Sequence, residues 1–127
     1  METKYKHIDD MAVAAAGNFL HGEGVLVDKI QLVDEHRVFE KLGFASLFSY
    51  CVDRLKLSES YCYAFISVAR KAKQVPQLKE AVTQGSLTVS QAKRIVSVIK
   101  PENASAWIEL AQTEKQQSGA TKEKSTS

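Results

Sequence analysis

A chain of 127 residues, 44% hydrophobic and 25% charged, is sized for one domain that can bury a core without a disulfide or metal staple. Its formal charge of +2 is unevenly divided: residues 1–60 carry seven Lys/Arg against ten Asp/Glu, and residues 61–127 carry ten against five. No run approaches the roughly 18 apolar residues of a membrane span, and the N-terminus lacks the basic-then-apolar order of a signal peptide, so a cytoplasmic protein is expected.

In chain order, Ile8, Met11, Ala12, Ala15 and Phe19 recur at steps of three and four and predict a helix over 8–20. Gly17 weakens it, and Gly22 and Gly24 are expected to end it. Residues 1–24 therefore read as a polar segment and helix preceding a domain over 25–114. Leu26, Ile30, Val33, Val38 and Phe39 predict a helix from Val25 to Leu42, stopped by Gly43. Ser46 is placed to cap a short helix over 47–55, and Ser58 to cap a longer one from Glu59 to Val75. In the longer helix Tyr61, Ala64, Phe65, Val68, Ala72 and Val75 are expected inward, with Tyr63, Ser67, Arg70 and Lys73 facing solvent.

Pro76 breaks that helix and opens another over Gln77 to Thr83, closed by Gly85. Ser86-Leu87-Thr88 leads into a helix to Ile99, with Val89, Ala92, Ile95, Val96 and Ile99 on one face and Lys93, Arg94, Ser97 and Lys100 on the other. Pro101-Glu102-Asn103 opens a last helix to Thr113, whose Ala106, Trp107, Leu110 and Ala111 are expected inward. From Gln112 onward a single Ala is the only apolar residue, so a disordered tail is expected over 115–127. Gly24 to Val27 is the one weak strand candidate. The fold class is all-α: a compact multi-helix bundle of about six helices containing a helix-turn-helix.

Side chains suited to catalysis are sparse. His7, His21 and His36 lie in the N-terminal third without a neighbouring Cys or a metal-ligand spacing. Asp9-Asp10 and Asp34-Glu35 are adjacent pairs that point to different sides of a helix rather than forming an acid/base dyad. Gly22-Glu23-Gly24 is followed by neither a further Gly nor a Lys-Ser/Thr pair, which argues against a nucleotide loop. Cys51 and Cys62 sit in apolar helical patterns; buried free thiols are the better reading, with a disulfide between packed helices as the alternative. No catalytic residue, metal, cofactor or small-molecule substrate is expected.

The basic residues are concentrated. Between Val68 and Lys100 stand Arg70, Lys71, Lys73, Lys79, Lys93, Arg94 and Lys100, against Glu80 alone. Several cations on one surface favour phosphate, because each neutralised phosphate releases counterion. The helix over 47–55, its turn and the helix from Glu59 have the proportions of a helix-turn-helix, with Ser58, Ser60, Tyr61 and Tyr63 at the start of the second helix, where hydroxyls and N–H groups reach phosphates and base edges. The aromatic set Phe44, Phe48, Tyr50, Tyr61, Tyr63 and Phe65 could stack bases, but its spacing fits core packing first.

Several short motifs in order carry a family resemblance: Lys41-Leu-Gly-Phe-Ala-Ser-Leu-Phe-Ser-Tyr-Cys51, Leu57-Ser-Glu-Ser60, Val68-Ala-Arg-Lys71, Val75-Pro-Gln-Leu78, Gln84-Gly-Ser-Leu-Thr88 and Lys100-Pro-Glu-Asn103. Over roughly residues 30–112 the chain resembles the helical N-terminal region of bacterial HNH endonuclease-type proteins. Leu57 to Ile99 is similar, more loosely, to the helix-turn-helix part of ParB-type partition proteins, which bind DNA. In the endonuclease group the nuclease chemistry resides in a separate C-terminal domain with a His-rich metal motif; residues after Thr113 contain no His or Cys, so that activity is not carried over. Where that group often carries Arg in the recognition helix, this chain has Tyr63 and Phe65 around Ala64.

The resemblance and the charge pattern together imply a DNA-binding, non-enzymatic regulatory or nucleoid-associated factor. The expected contact residues are Ser58, Ser60, Tyr61, Tyr63, Arg70, Lys71, Lys73, Lys93 and Arg94. A homodimer through the N-terminal helices would supply two half-sites. The alternative is a protein-interaction adaptor or inhibitor module that keeps the fold without binding DNA.

Overall fold

The computed structural model describes residues 2–113, and among them every regular element is helical. The order is α1 (Glu2–Glu35), α2 (Val38–Lys41), α3 (Leu47–Asp53), α4 (Glu59–Gln74), α5 (Pro76–Thr83) and α6 (Val89–Ile95), then a 3-10 turn (Pro101–Asn103) that runs into α7 over residues 104–113. The all-α expectation holds. The expected tail over 115–127 lies outside the described residues.

The largest departure from the sequence reading is α1. The expected stop at Gly22 and Gly24 does not occur, and one helix of 34 residues, Glu2–Glu35, takes in the expected segment 8–20 and most of the segment 25–42. Glycine permits a left-handed residue but does not require one, and neither Gly22 nor Gly24 takes positive φ. Gly24 instead serves packing. A Cβ there would lie 2.8 Å from Thr83 Cα and 3.0 Å from the Val82 carbonyl oxygen, so the missing side chain lets α5 lie directly against α1.

The break comes later. Arg37 adopts a left-handed conformation at φ 49°, its guanidinium forks onto Glu40, and the single turn of α2 follows. Gly43 then takes φ 90°, as expected of a residue closing a helix, but it closes α2 rather than a helix begun at Val25.

The caps read from sequence are in place. Ser46 Oγ accepts the Ser49 N–H at 3.0 Å and Ser58 Oγ accepts the Tyr61 N–H at 3.2 Å. Thr88 opens α6 with a full capping box, its hydroxyl accepting from Gln91 N while Gln91 Oε1 accepts from Thr88 N at 2.8 Å. Pro76 stands at the first turn of α5, and Gly85 at φ 79° reverses the chain after it. α3 ends at Asp53 and α6 at Ile95, each earlier than expected, with turns carrying the chain onward.

α4 is the central helix, packed by α1, α3, α5 and α6. Cys62, Phe65, Val68, Ala69 and Ala72 are buried there, against Val27 and Ile30 of α1, Leu47 and Cys51 of α3, Leu78 and Val82 of α5, and Val89, Ala92 and Ile95 of α6. Three inward assignments are corrected, Tyr61, Ala106 and Leu110. Tyr61 is 44% exposed, because it lies at the open end of α4 where Cys62 takes the buried position. In α7 the buried residues are Ala104 and Ala111, while Ala106 and Leu110 face solvent.

Cys51 and Cys62 are both buried and unbridged. Burial, together with the neighbouring Cys62 thiol, pushes the Cys51 pKa up to about 12. Thiol reagents at pH 8 are therefore expected to leave both cysteines unmodified in the folded protein and to titrate both in denaturant. Gly24→Ala is expected to cost about 1–3 kcal/mol in urea unfolding through overpacking against α5. Gly17→Ala, whose Cβ would meet no atom within 4 Å, is expected to stabilise by up to about 1 kcal/mol.

Candidate nucleic-acid interface

The acidic residues on the C-terminal half of α1 determine which cations remain available. Asp34 receives Arg70 in a two-point contact, Nε to Oδ2 at 3.0 Å and Nη2 to Oδ1 at 3.1 Å. Lys73 lies 3.5 Å from Glu35, and Lys79 Nζ donates to Asp28 at 3.2 Å and also to Gln31. The Arg70 pKa is raised by its hydrogen bond to Asp34. Arg70 and Lys73, expected to face solvent as free cations, are engaged within the chain, and so is Lys79.

No such partner meets Lys71, Lys93, Arg94 or Lys100 among the described residues. Lys93 and Arg94 are exposed in the last turn of α6, and no carboxylate stands anywhere from Val89 to Ile99. Ser90 and Ser97 are exposed on the same helix and the turn after it. Lys71 is half-buried on α4, which packs against α6. Lys4, Lys41, Arg54 and Lys56 are likewise exposed without a carboxylate partner among the described residues, but only α6 carries two adjacent cations on a segment free of carboxylates.

The residues expected at the start of α4 are differently occupied. The Ser58 hydroxyl caps its own helix, and Ser60 is exposed two residues on. Tyr63 stacks on Phe48 with ring centroids 4.7 Å apart and an interplanar angle of 30°, covering the seam between α3 and α4. Tyr61 lies beside Phe65 and lines an apolar groove with Phe19, Gly22, Leu26 and Leu57. Four helices pack around α4, and its outward residues are Glu59, Ser60, Tyr61 and Tyr63 at the start and Arg70, Lys73 and Gln74 at the end, with Ser67 and Lys71 partly covered between them.

The two helices predicted after Pro76 and after Thr88 form a second helix pair, which the sequence reading does not weigh as a helix-turn-helix. α5, the Gly85 reversal and Thr88-capped α6 form two helices joined by the five residues Gln84–Thr88. Ser86 N–H and Leu87 N–H both return to the Ala81 carbonyl, at 2.9 and 3.2 Å, tightening the turn. From α1, buried Glu23 accepts the Val89 N–H at 2.9 Å, placing a carboxylate at the positive end of α6. Pro76, Gly85 and Thr88 are each legible in the sequence, whereas the docking of the two helices on one another and on α4 is a matter of packing.

Among the described residues, no cluster of three His, Cys, Asp or Glu side chains is placed to hold a metal, and no helix is long and apolar enough to cross a membrane. Asp34→Ala is expected to lower stability by up to about 1 kcal/mol at low salt, since Arg70 stays more than half exposed, and the loss should shrink as salt rises. Chemical denaturation at two ionic strengths measures both quantities. Comparison with protein-family models, with curated proteins and with solved structures found no match to this chain.

Proposed function

We propose that the protein binds DNA through the α5–α6 helix pair acting as a helix-turn-helix, as a regulatory or nucleoid-associated factor. One observation carries this reading: among the described residues the adjacent Lys93 and Arg94 of α6, and Lys100 after it, have no acidic partner, whereas Arg70, Lys73 and Lys79 are bound to carboxylates of α1. Ser90, Lys93, Arg94 and Ser97 supply hydroxyl and cationic donors for phosphates and base edges, on a helix that packs against α4 and α5. The resemblance to the helical region of HNH endonuclease-type proteins and to the helix-turn-helix of ParB-type proteins supports the same class of partner.

A second reading, an adaptor that binds protein, is favoured by the apolar groove at Tyr61 and by the large apolar side chains exposed along α1. The two differ in their response to salt. On the DNA reading, anisotropy of a labelled mixed-sequence duplex reports affinity falling steeply between 50 and 200 mM salt. Lys93→Ala/Arg94→Ala is expected to weaken binding about tenfold or more and to reduce the log–log salt slope by about 2. Arg70→Ala/Lys73→Ala should leave affinity within about twofold. Absence of binding to duplex DNA at low salt removes the DNA reading in favour of the adaptor.

A further inference from the structure

Among the described residues, the N-terminal half of α1 is packed against no other element. Every residue from Lys4 to Phe19 is exposed, a projecting rod of roughly 24 Å at 1.5 Å per residue. On it Tyr5, Ile8, Ala12, Ala15, Phe19, Gly22 and Leu26 follow one another at alternating steps of three and four, the seam of a two-helix contact. At its inner end the seam enters the groove of about 290 Å³ lined by Phe19, Gly22, Leu26, Leu57, Tyr61 and Phe65.

We infer that a second copy of this chain fills that groove, the two α1 helices pairing antiparallel about a two-fold axis near residues 13 and 14. The seam is complementary to itself in that register and in that direction. Tyr5 comes opposite Gly22, Ile8 opposite Phe19, and Ala12 opposite Ala15, large against small at the ends and small against small at the axis.

Gly22 is the informative position. Like Gly17 it lies inside a helix, where glycine costs about 1 kcal/mol relative to alanine, and no neighbouring element among the described residues comes within 4 Å of where a Cβ would stand, but of the two only Gly22 stands on the seam and lines the groove. Gly24 is explained by α5; Gly22 is explained by the Tyr5 ring of a partner. Within one chain the tip and the groove cannot meet, because fourteen residues of continuous helix, roughly 21 Å, hold Tyr5 away from Phe19.

The exposed area agrees. Tyr5, Ile8, Met11, Phe19 and Tyr61 are each roughly half exposed. At about 100 Å² apiece they offer roughly 500 Å² per protomer and about 1,000 Å² per dimer, near the lower bound of a specific interface. A parallel pair would set Gly22 against Gly22 and leave both grooves empty.

This pairing does not depend on DNA binding, and its test contains no DNA. Sedimentation equilibrium of the full chain is expected to give a dimer at micromolar concentration. Gly22→Leu, which fills the space for Tyr5 while raising helix propensity, is expected to weaken dimerisation at least tenfold with unchanged circular dichroism. Ala12→Cys mixed with Ala15→Cys should form a disulfide-linked heterodimer, whereas Ala12→Cys alone should not cross-link. A monomer at 100 μM, a dimer indifferent to Gly22→Leu, or cross-linking of Ala12→Cys with itself would each overturn the inference.

Discussion

The polar row along the C-terminal half of α1 is the constraint on which the rest of the structure depends. Glu23 reaches the first N–H of α6, Asp28 and Gln31 hold Lys79 of α5, Gln31 also donates to the Ala69 carbonyl of α4 at 2.8 Å, and Asp34 and Glu35 take Arg70 and Lys73 of α4. One helix thereby registers three others. The hydrophobic contacts of Val27 and Ile30 supply most of the driving force, being nearly non-directional, and the polar row specifies how the helices align. Exposed pairs such as Arg70–Asp34 add little stability individually, whereas buried Gln31 and Glu23 would be costly to leave unpartnered.

That arrangement changes what the charge pattern means. Seven cations in 33 residues read as a single basic face when the chain is considered linearly. Three cations of the second half, Arg70, Lys73 and Lys79, meet carboxylates of the first at the α1–α4 and α1–α5 contacts. The seven cations therefore do not form one free basic face, and the adjacent pair Lys93 and Arg94 on α6 stands apart from those contacts.

α1 also divides into two parts with different physics. Its inner half is held by packing, by Gly24 against the backbone of α5 and by hydrogen bonds. Its outer half exposes Tyr5, Ile8, Met11 and Phe19 to solvent, an arrangement a solitary helix does not need for its own stability. The glycines follow the same division: Gly24 permits an approach within the chain, and Gly22 leaves space facing outward.

The sequence by itself determined the all-α class, the caps at Ser46, Ser58 and Thr88, the proline start of α5, the reversals at Gly43 and Gly85, and the buried cysteines, because each follows from a local preference or a helical period. It could not determine that α1 continues through Gly22 and Gly24, since whether a glycine ends a helix depends on what packs against it. Nor could it show that Asp34 and Glu35 would neutralise Arg70 and Lys73 across 36 and 38 positions of chain, or that Tyr61 would border a groove while Cys62 took its place in the core. Those outcomes were decided only by the tertiary structure, because pairings between residues distant in sequence are set by how the helices dock and leave no local periodic signal.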